Sequence, residues 1–360
     1  MSVGVLTTVA VPLGARSYDV VVGPGARAAL TGMVPSAAQM AVVITQEGLD
    51  VPVETGLPTS VVRVPAGEKA KSLATVESIC RSFAHAGLTR NDLVVAVGGG
   101  MVTDVAGFAA SCWHRGTGVL HVATTLLAQI DAAIGGKTGV NLAGGKNLVG
   151  SFWQPVGVIC DTDVLASLPA AEWRSGRGEL VKYAFLGVEG LAGMSLPEQV
   201  ARCVECKARV VAGDEREDGR RMILNYGHTL AHALEAAGLA GESTEATAGD
   251  DAEAAARAAR PALRHGEAVA IGLNFAARLA RSLGRIDDAR VAHHEEVLAS
   301  ADLPMLLPAG ADVSQLLELM RRDKKAHGDL TFVLDGPQGV EPVHGVDPAV
   351  VLRALAELLP

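Results

Sequence analysis

Apolar residues come in short continuous runs through the first half of the chain. Val5–Val11, Tyr18–Val22, Ala41-Val-Val-Ile-Thr45, Val61-Val-Arg-Val64, Leu93-Val-Val-Ala-Val97, Val119–Val122 and Val156–Asp161 read as strands. Helical stretches fall between them, near Ala26–Met33, over Ser72–Gly87 with Ser72 as the N-cap, and from about Thr103 to Trp113. Strands alternating with helices imply a parallel sheet covered on both faces. After about Ser167 the pattern turns helical, with Leu330–Leu334 as a short strand. The expected organisation is an α/β domain over 1–162 and a helical domain over 163–360, with a site in the cleft between them. Gly241–Pro261 is rich in Ala, Glu and Asp with little apolar periodicity, and reads as a mobile insertion.

One stretch of the second half carries more polarity than a packed helix needs. In Arg221-Met-Ile-Leu-Asn-Tyr-Gly-His-Thr-Leu-Ala-His-Ala-Leu-Glu235, the polar residues Arg221, Asn225, His228 and His232 follow at spacings of four, three and four. On one continuous helix they share a stripe roughly 60° wide, and the remaining positions are apolar enough to be buried. Burying four such groups unpaired is costly, so the stripe is expected to face a ligand, a metal or a wet cavity.

Composition narrows the classes. Hydrophobic residues make up 49% of the 360 and aromatics only 3%, so the cores are built from Ala, Val and Leu. A net charge of −9 argues against a nucleic-acid or membrane-surface partner, but leaves room for a small anionic ligand. The five cysteines are too sparse for a disulfide framework. The pair Cys203-Val-Glu-Cys206 lies in a charged helical context without a second pair, which argues against zinc or redox chemistry there. The N-terminus lacks a basic signal-peptide region, and no apolar run reaches the length of a membrane span, so a cytoplasmic location is expected.

Chemistry-bearing signals lie at several places. Gly98-Gly-Gly100 ends a buried strand before a helix, where backbone amides can approach a phosphate. Thr124–Gln154 is dense in glycine and polar residues, including Asp131, Gly135-Gly-Lys137 and Gly144-Gly-Lys-Asn147. Leu126, Leu127 and Ala132–Ile134 suggest that this stretch packs against the core. Glu179-Leu-Val-Lys182 puts a carboxylate and an ammonium on one helix face, and Arg321-Arg-Asp-Lys-Lys325 is a basic run. Glu179, His228 and His265 form a candidate His₂Glu zinc set with an open fourth position, although spacing alone does not bring three separate segments together.

Taken in order, these motifs resemble the 3-dehydroquinate synthase family of sugar-phosphate cyclases over nearly the whole chain. The resemblance is carried by Pro65-Ala-Gly-Glu68-Lys-Ala-Lys71, Gly98-Gly-Gly-x-x-x-Asp104, Arg115-Gly, Thr124-Thr-Leu-Leu-Ala-Gln-x-Asp131 and Gly135-Gly-Lys137. It continues through Gly145-Lys-Asn147, Gly178-Glu-Leu-Val-Lys182-Tyr, Asn225-Tyr-Gly-His228-x-x-x-His232-x-x-Glu235, His265-Gly-Glu-Ala-Val and Asp323-Lys-Lys325. It implies a Rossmann-like NAD-binding domain followed by a helical metal-binding domain, with Zn²⁺ or Co²⁺ on Glu179, His228 and His265. Glu68, Lys71, Gly99, Gly100, Asp104, Thr124, Thr125 and Lys146 would hold NAD. Asp131, Lys182 and Asn225 would bind substrate hydroxyls, and Lys207 and Arg221 the substrate carboxylate. Phosphate would be bound by Lys137, Asn147, His232 and one of Lys324 and Lys325, with Arg115 reaching across a homodimer interface.

The activity so implied is a lyase reaction of a phosphorylated keto acid, 3-deoxy-D-arabino-heptulosonate 7-phosphate (DAHP), in the shikimate pathway. NAD⁺ oxidises a hydroxyl transiently, phosphate is eliminated, the hydride returns, the ring opens, and an aldol step closes a carbocycle. Three departures from the family's pattern stand out. Thr45-Gln-Glu-Gly replaces an acidic-then-asparagine pattern, leaving Glu47 as the substitute ribose contact; Ala123 stands where proline is usual; and the gap between His232 and His265 is long. The competing readings are a related cyclase of secondary metabolism, acting on sedoheptulose 7-phosphate, glucose 6-phosphate or an amino analogue of DAHP; a polyol dehydrogenase of the glycerol-dehydrogenase type; and a catalytically silent paralogue. The Arg221 and Lys207 pair favours a keto-acid substrate, since neutral sugar phosphates offer it no carboxylate.

Overall fold

The computed structural model describes residues 5–240, 263–323 and 330–360. The chain forms two compact units, one of residues 1–173 with 188–221, the other of residues 174–187 with 222–360.

The first unit is built on a seven-stranded sheet. Its strands are β1 (Thr7–Val11), β2 (Tyr18–Gly23), β3 (Ala41–Gln46), β4 (Thr59–Val64), β5 (Leu93–Gly98), β6 (Gly118–Ala123) and β9 (Gly157–Asp161), in the order β1-β2-β9-β6-β5-β3-β4. All neighbours run parallel except β1 and β2. The apolar runs of β3, β5, β6 and β9 are buried along nearly their whole length, as a sheet covered on both faces requires. Helix α1 (Leu30–Met33) is a single turn; α2 (Leu73–Ala86) and α3 (Gly100–Cys112) are the long helices of this sheet. Ser72 caps α2 by accepting from the Thr75 N–H, and Gly87 ends it in the left-handed conformation. The chain passes from β3 outward to β4 and then returns to β5 on the other side of β3. In open α/β sheets such a switch point, at the carboxyl ends of the strands, is where ligands bind.

Two features were not expected from the sequence. The glycine-rich stretch after β6 holds a short π-helical turn (Ala128–Ala132) and then an antiparallel hairpin of β7 (Lys137–Leu142) and β8 (Gly145–Phe152). Helix α5 (Leu196–Gly213), which carries Lys207, belongs to the first unit, so the two units do not follow a single cut near 162. Its buried Val200, Val204 and Val211 give it an apolar face, and it packs on β1, β2 and the π-helical turn.

The second unit contains most of α4 (Ala170–Phe185), then α6 (His228–Ala236), α7 (His265–Ser282), α8 (Asp288–Ser300), α9 (Val313–Asp323) and α10 (Pro348–Ala356). In this unit the strand expected at Leu330–Leu334 is present as β10 (Phe332–Leu334), and it pairs with a second strand the sequence did not indicate, β11 (Glu341–Val343). Its core centres on α7, whose Val269, Ile271, Leu273, Ala277 and Leu279 are fully buried.

Candidate active site

The C-terminal ends of the strands in the first unit carry the glycine turn. Gly99 is the N-cap of α3 and supplies no side-chain cap, so the first N–H groups of the helix remain available to an anion. A Cβ at Gly99 would come within 2.9 Å of the Thr125 side chain, and one at Gly100 within 3.1 Å of Ala132. The glycines therefore let two turns pack closely. Thr124 donates its backbone N–H to the Gly98 carbonyl, and the Thr125 hydroxyl accepts from the Ala128 N–H. On the next turn of α3, Asp104 pairs with buried Lys71 at 2.6 Å. Burial pushes the Asp104 carboxyl up to about 6, against the pull of the Lys71 ammonium.

Asn141, on β7, had no role in the sequence reading. Its side-chain N–H donates to Glu68 at 2.7 Å, its carbonyl oxygen accepts from the Asn147 N–H at 2.8 Å, and its backbone N–H donates to the Lys71 carbonyl. It therefore ties the hairpin that bears Lys146 and Asn147 to the Glu68–Lys71 turn. Lys146 and Asn147 are exposed, and Asn147 adopts φ 56. Arg115 is also exposed and left-handed, at φ 63.

A second group in this unit surrounds Gly135. Lys207, buried on α5, donates to the backbone carbonyl of Asp131 at 2.6 Å and pairs with its carboxylate. Lys137 pairs with Glu217, a residue in left-handed conformation. Arg221 is 1% exposed. Its guanidinium donates to the Glu215 carbonyl at 2.6 Å and the Gly135 carbonyl at 2.9 Å, with its carbon 5.9 Å from the centre of the Phe152 ring. A Cβ on Gly135 would lie 2.5 Å from that guanidinium. Among the described residues it makes no ion pair within 4 Å; its direct partners are neutral carbonyls, and Glu217, Asp131 and Asp214 act on it only from farther away. Burial lowers its affinity for the proton.

The third group lies wholly in the second unit. Glu179 Oε1 is 3.1 Å from Nε2 of both His228 and His265, and one donor atom from each of the three residues lies within 4.8 Å of the others. Each imidazole is oriented from behind. His228 Nδ1–H donates to the Tyr226 carbonyl at 3.3 Å, and His265 Nδ1–H to Glu235 at 3.1 Å. With the protons on Nδ1, both Nε2 atoms face Glu179, and their lone pairs would be available to an ion that takes the place of the proton. Lys182 Nζ is 2.6 Å from Glu179 Oε2. Burial alone would raise the Glu179 carboxyl, but the Lys182 ammonium and His228 hold it well below the usual carboxylate range. Burial keeps His228 neutral by lowering its pKa. At His265 the Glu179 and Glu235 carboxylates overcome the cost of burial and raise the pKa to about 10, so this position calls for positive charge. Two imidazoles, one buried carboxylate and a demand for a cation fit a catalytic zinc-type ion with an open coordination position.

Backbone contacts set these spacings. A Cβ on Gly178 would meet the Gly266 carbonyl oxygen at 1.9 Å, and one on Gly272 would meet the Gly227 carbonyl oxygen at 1.9 Å. Only glycine lets the segment bearing Glu179 approach the start of α7, which bears His265, and lets the turn before His228 seat against the middle of α7.

The expectation of one continuous helix over 221–235 does not hold. Arg220–Asn225 forms a 3-10 helix, Gly227 turns the chain at φ 84, and α6 begins at His228. Arg221 falls in the first unit while Asn225, His228 and His232 fall in the second. Apolar periodicity runs through the glycine without registering the break, because a single left-handed residue leaves the pattern of buried positions on either side intact. His232 is exposed, with its ring 5.6 Å from that of His228, and Asn225 is half-buried. Lys324, Lys325 and the stretch 241–261 lie outside the described residues.

Comparison with known proteins identifies the family. The 3-dehydroquinate synthase N-terminal model matches residues 61–175, and the C-terminal model matches residues 176–326. The chain belongs to the 3-dehydroquinate synthase family. It is 49% identical over 356 residues to the "Putative aminodehydroquinate synthase" of Amycolatopsis mediterranei, covering 98% of this chain and 95% of that one. It is 38% identical to the 3-dehydroquinate synthase of Streptomyces avermitilis, covering 96% of each. Among solved structures, 2-deoxy-scyllo-inosose synthase complexed with carbaglucose-6-phosphate, NAD⁺ and Co²⁺ superposes with a TM-score of 0.80 at 25% identity. That match covers 98% of this chain and all of the other. These relatives make the chain an enzyme of the dehydroquinate synthase type, a carbon–oxygen lyase acting on phosphates. No helix among the described residues is long and apolar enough to cross a membrane.

Proposed function

We propose that this chain converts a phosphorylated 3-deoxy-2-keto acid, DAHP, to 3-dehydroquinate and phosphate. The observation that carries the reading is Arg221: its buried guanidinium donates to two carbonyl oxygens and, among the described residues, has no carboxylate within ion-pair distance, so a substrate carboxylate would be a direct ionic partner for it. Its plane is fixed by the Glu215 and Gly135 carbonyls, which leaves the fork preorganised rather than free to rotate. Lys207, held on Asp131, adds a second positive charge. A substrate without a carboxylate gains nothing from either group.

Glu179, His228 and His265 would hold zinc, and NAD would lie on the glycine turn at Gly99 and Gly100. When bound, the metal acidifies a hydroxyl and the nicotinamide takes up and returns a hydride. The chain's own groups do the rest. Lys182 keeps Glu179 ionised, Glu235 and the Tyr226 carbonyl hold the two imidazoles with Nε2 forward, and Asp131 and Asn225 orient substrate hydroxyls. Lys137, Asn147 and His232 bind the phosphate that leaves, with Arg115 contributed by a second copy of the chain. Most of the rate enhancement then comes from orientation and fixed charge.

A second reading is that the substrate is the amino analogue of DAHP, leading to aminodehydroquinate. The 49% identity to the Amycolatopsis relative favours it over the 38% to the Streptomyces enzyme, and the carboxylate contacts serve both substrates equally. The test supplies the zinc- and NAD-loaded protein with DAHP, with its amino analogue and with sedoheptulose 7-phosphate, measuring phosphate release and product mass. Turnover of DAHP to 3-dehydroquinate supports the first reading. Turnover restricted to the amino analogue replaces it with the second. Preference for sedoheptulose 7-phosphate sinks both.

A further inference from the structure

The most elaborate buried polar arrangement that the reaction leaves unused lies behind the metal triad. His294, on α8, is fully buried. Its Nδ1 is 2.8 Å from the Arg290 carbonyl, one helical turn back, and its Nε2 is 2.9 Å from the Tyr226 hydroxyl. A carbonyl only accepts, so Nδ1 carries the proton, and the neutral ring presents the Nε2 lone pair to the Tyr226 O–H. Burial favours that neutral form, bringing His294 down to about 4. The imidazole also lies flat against Phe185, with ring centroids 4.0 Å apart and planes 4° from parallel. Tyr226 meets the edge of Phe185 at 6.1 Å.

These two partners are not arbitrary. Phe185 ends α4, the helix that carries Glu179, and Tyr226 precedes His228 by two residues and supplies the carbonyl that receives its Nδ1–H. The glycine contacts already fix Glu179 against His265, through Gly178 and Gly266, and His228 against α7, through Gly227 and Gly272. The remaining side of the triangle, between the α4 segment and the Tyr226 segment, is closed by His294. Its own position is anchored in turn, since Arg290 pairs with buried Asp335 at 2.7 Å.

We propose that His294 is a positioning residue for the metal site, fixing the Tyr226 carbonyl through the Tyr226 hydroxyl and the Glu179 helix through Phe185, so that His228 and Glu179 meet the ion at the right spacing. Both side chains are fully buried, and neither belongs to the Glu179, His228 and His265 set. The inference rests on the reading of Glu179, His228 and His265 as the metal ligands. It predicts that a group behind the site sets metal affinity without supplying a ligand, as partners of ligating histidines do.

The test uses the full chain and four forms: wild type, Tyr226→Phe, His294→Leu and His294→Gln. Zinc affinity is measured by competition with a chelator, ligand geometry by the visible absorption of the Co²⁺-loaded protein, and fold integrity by thermal melting of the metal-free protein. Tyr226→Phe removes one hydroxyl and keeps the packing. It and His294→Leu are expected to weaken zinc binding about ten- to a hundredfold and to change the Co²⁺ absorption. His294→Gln, whose side-chain carbonyl can accept from Tyr226, is expected to regain most of the loss. Zinc affinity and Co²⁺ spectra identical to wild type in Tyr226→Phe and His294→Leu, with only the melting temperature lowered, would make His294 a packing residue and overturn the inference. If wild type itself binds no zinc, the metal reading fails and takes this inference with it; zinc bound equally by all four forms removes this inference alone.

Discussion

His265 donates its Nδ1–H to Glu235 at 3.1 Å, and that bond turns its Nε2 toward Glu179. The two residues are thirty positions apart in the chain, yet the carboxylate fixes both the tautomer and the tilt of the ring. Glu235→Ala should therefore weaken zinc binding about ten- to a hundredfold, and Glu235→Gln by less, because an amide oxygen still accepts. Loss of a ligand should be more severe: Glu179→Ala, His228→Ala or His265→Ala leaves two protein donors and should abolish stoichiometric zinc. His232→Ala should retain zinc and lose turnover. Metal analysis after dialysis distinguishes these outcomes, and full zinc content in any of the three ligand variants would remove that residue from the set.

Arg221→Ala should lower kcat/KM for a carboxylated substrate about ten- to a few-hundredfold, the worth of a charge-assisted contact of roughly 1.5–3 kcal/mol. It should change little for sedoheptulose 7-phosphate. Phosphate-release assays on both substrates check this; an equal loss on both would detach Arg221 from carboxylate binding.

The loop that delivers Arg221 is organised by Asp214. Its carboxylate accepts from the backbone N–H groups of Arg221, Asp218 and Gly219, each at 2.9 Å. The Arg221 hydrogen bond leads the causes that hold the carboxyl below its ordinary value, with burial opposing it and the Asp218 and Gly219 N–H groups adding to it. A depressed carboxyl stabilises the fold above the unfolded value of about 3.9 and loses that contribution as pH falls through the folded value. The stability difference between wild type and Asp214→Ala should thus be constant from neutral pH down to about 4 and shrink below it. Urea melts at several pH values measure it. A difference that grows on acidification would reverse the assigned sign.

Gly178→Ala should be disproportionately harmful for a one-carbon change. The new Cβ would meet the Gly266 carbonyl oxygen at 1.9 Å, backbone against which no rotamer gives relief. We expect at least the roughly 1–3 kcal/mol of an overpacked core, together with loss of zinc affinity, since Glu179 is the next residue. Chemical denaturation and zinc titration of the same preparation test both halves.

Much of this was legible in the sequence. The sheet strands announced themselves because burial on both faces makes them continuously apolar, and Ser72 and Gly98 mark an element start and an element end by their backbone chemistry. The β7–β8 hairpin was not legible: Lys137–Leu142 and Gly145–Phe152 mix glycine, asparagine and lysine with few apolar residues, and β8 is mostly exposed. The triad was visible as residue types, but its convergence depends on Gly178, Gly266, Gly227 and Gly272, whose role is an absence of atoms that no periodicity records. Glu235 stood within a recognised motif without a role, because its partner lies on another helix. Tyr226 and His294 had no assigned role in the sequence, because the hydrogen bond that joins them links segments 68 positions apart.

The glycine contacts around α7 have a bearing on which ions the chain admits. Where side chains separate helices, a pocket adapts to its guest by changing rotamers. Here carbonyl oxygen sits close over α-carbon at Gly178 with Gly266 and at Gly227 with Gly272, so the proposed triad would behave as a gauge whose backbone frame gives little. An ion of larger radius would have to be met by the ligand side chains' own torsions, since the backbone beneath them has no room to part. Selectivity among divalent ions then follows from ionic size as well as ligand softness, enforced by residues that contribute no ligand atom at all.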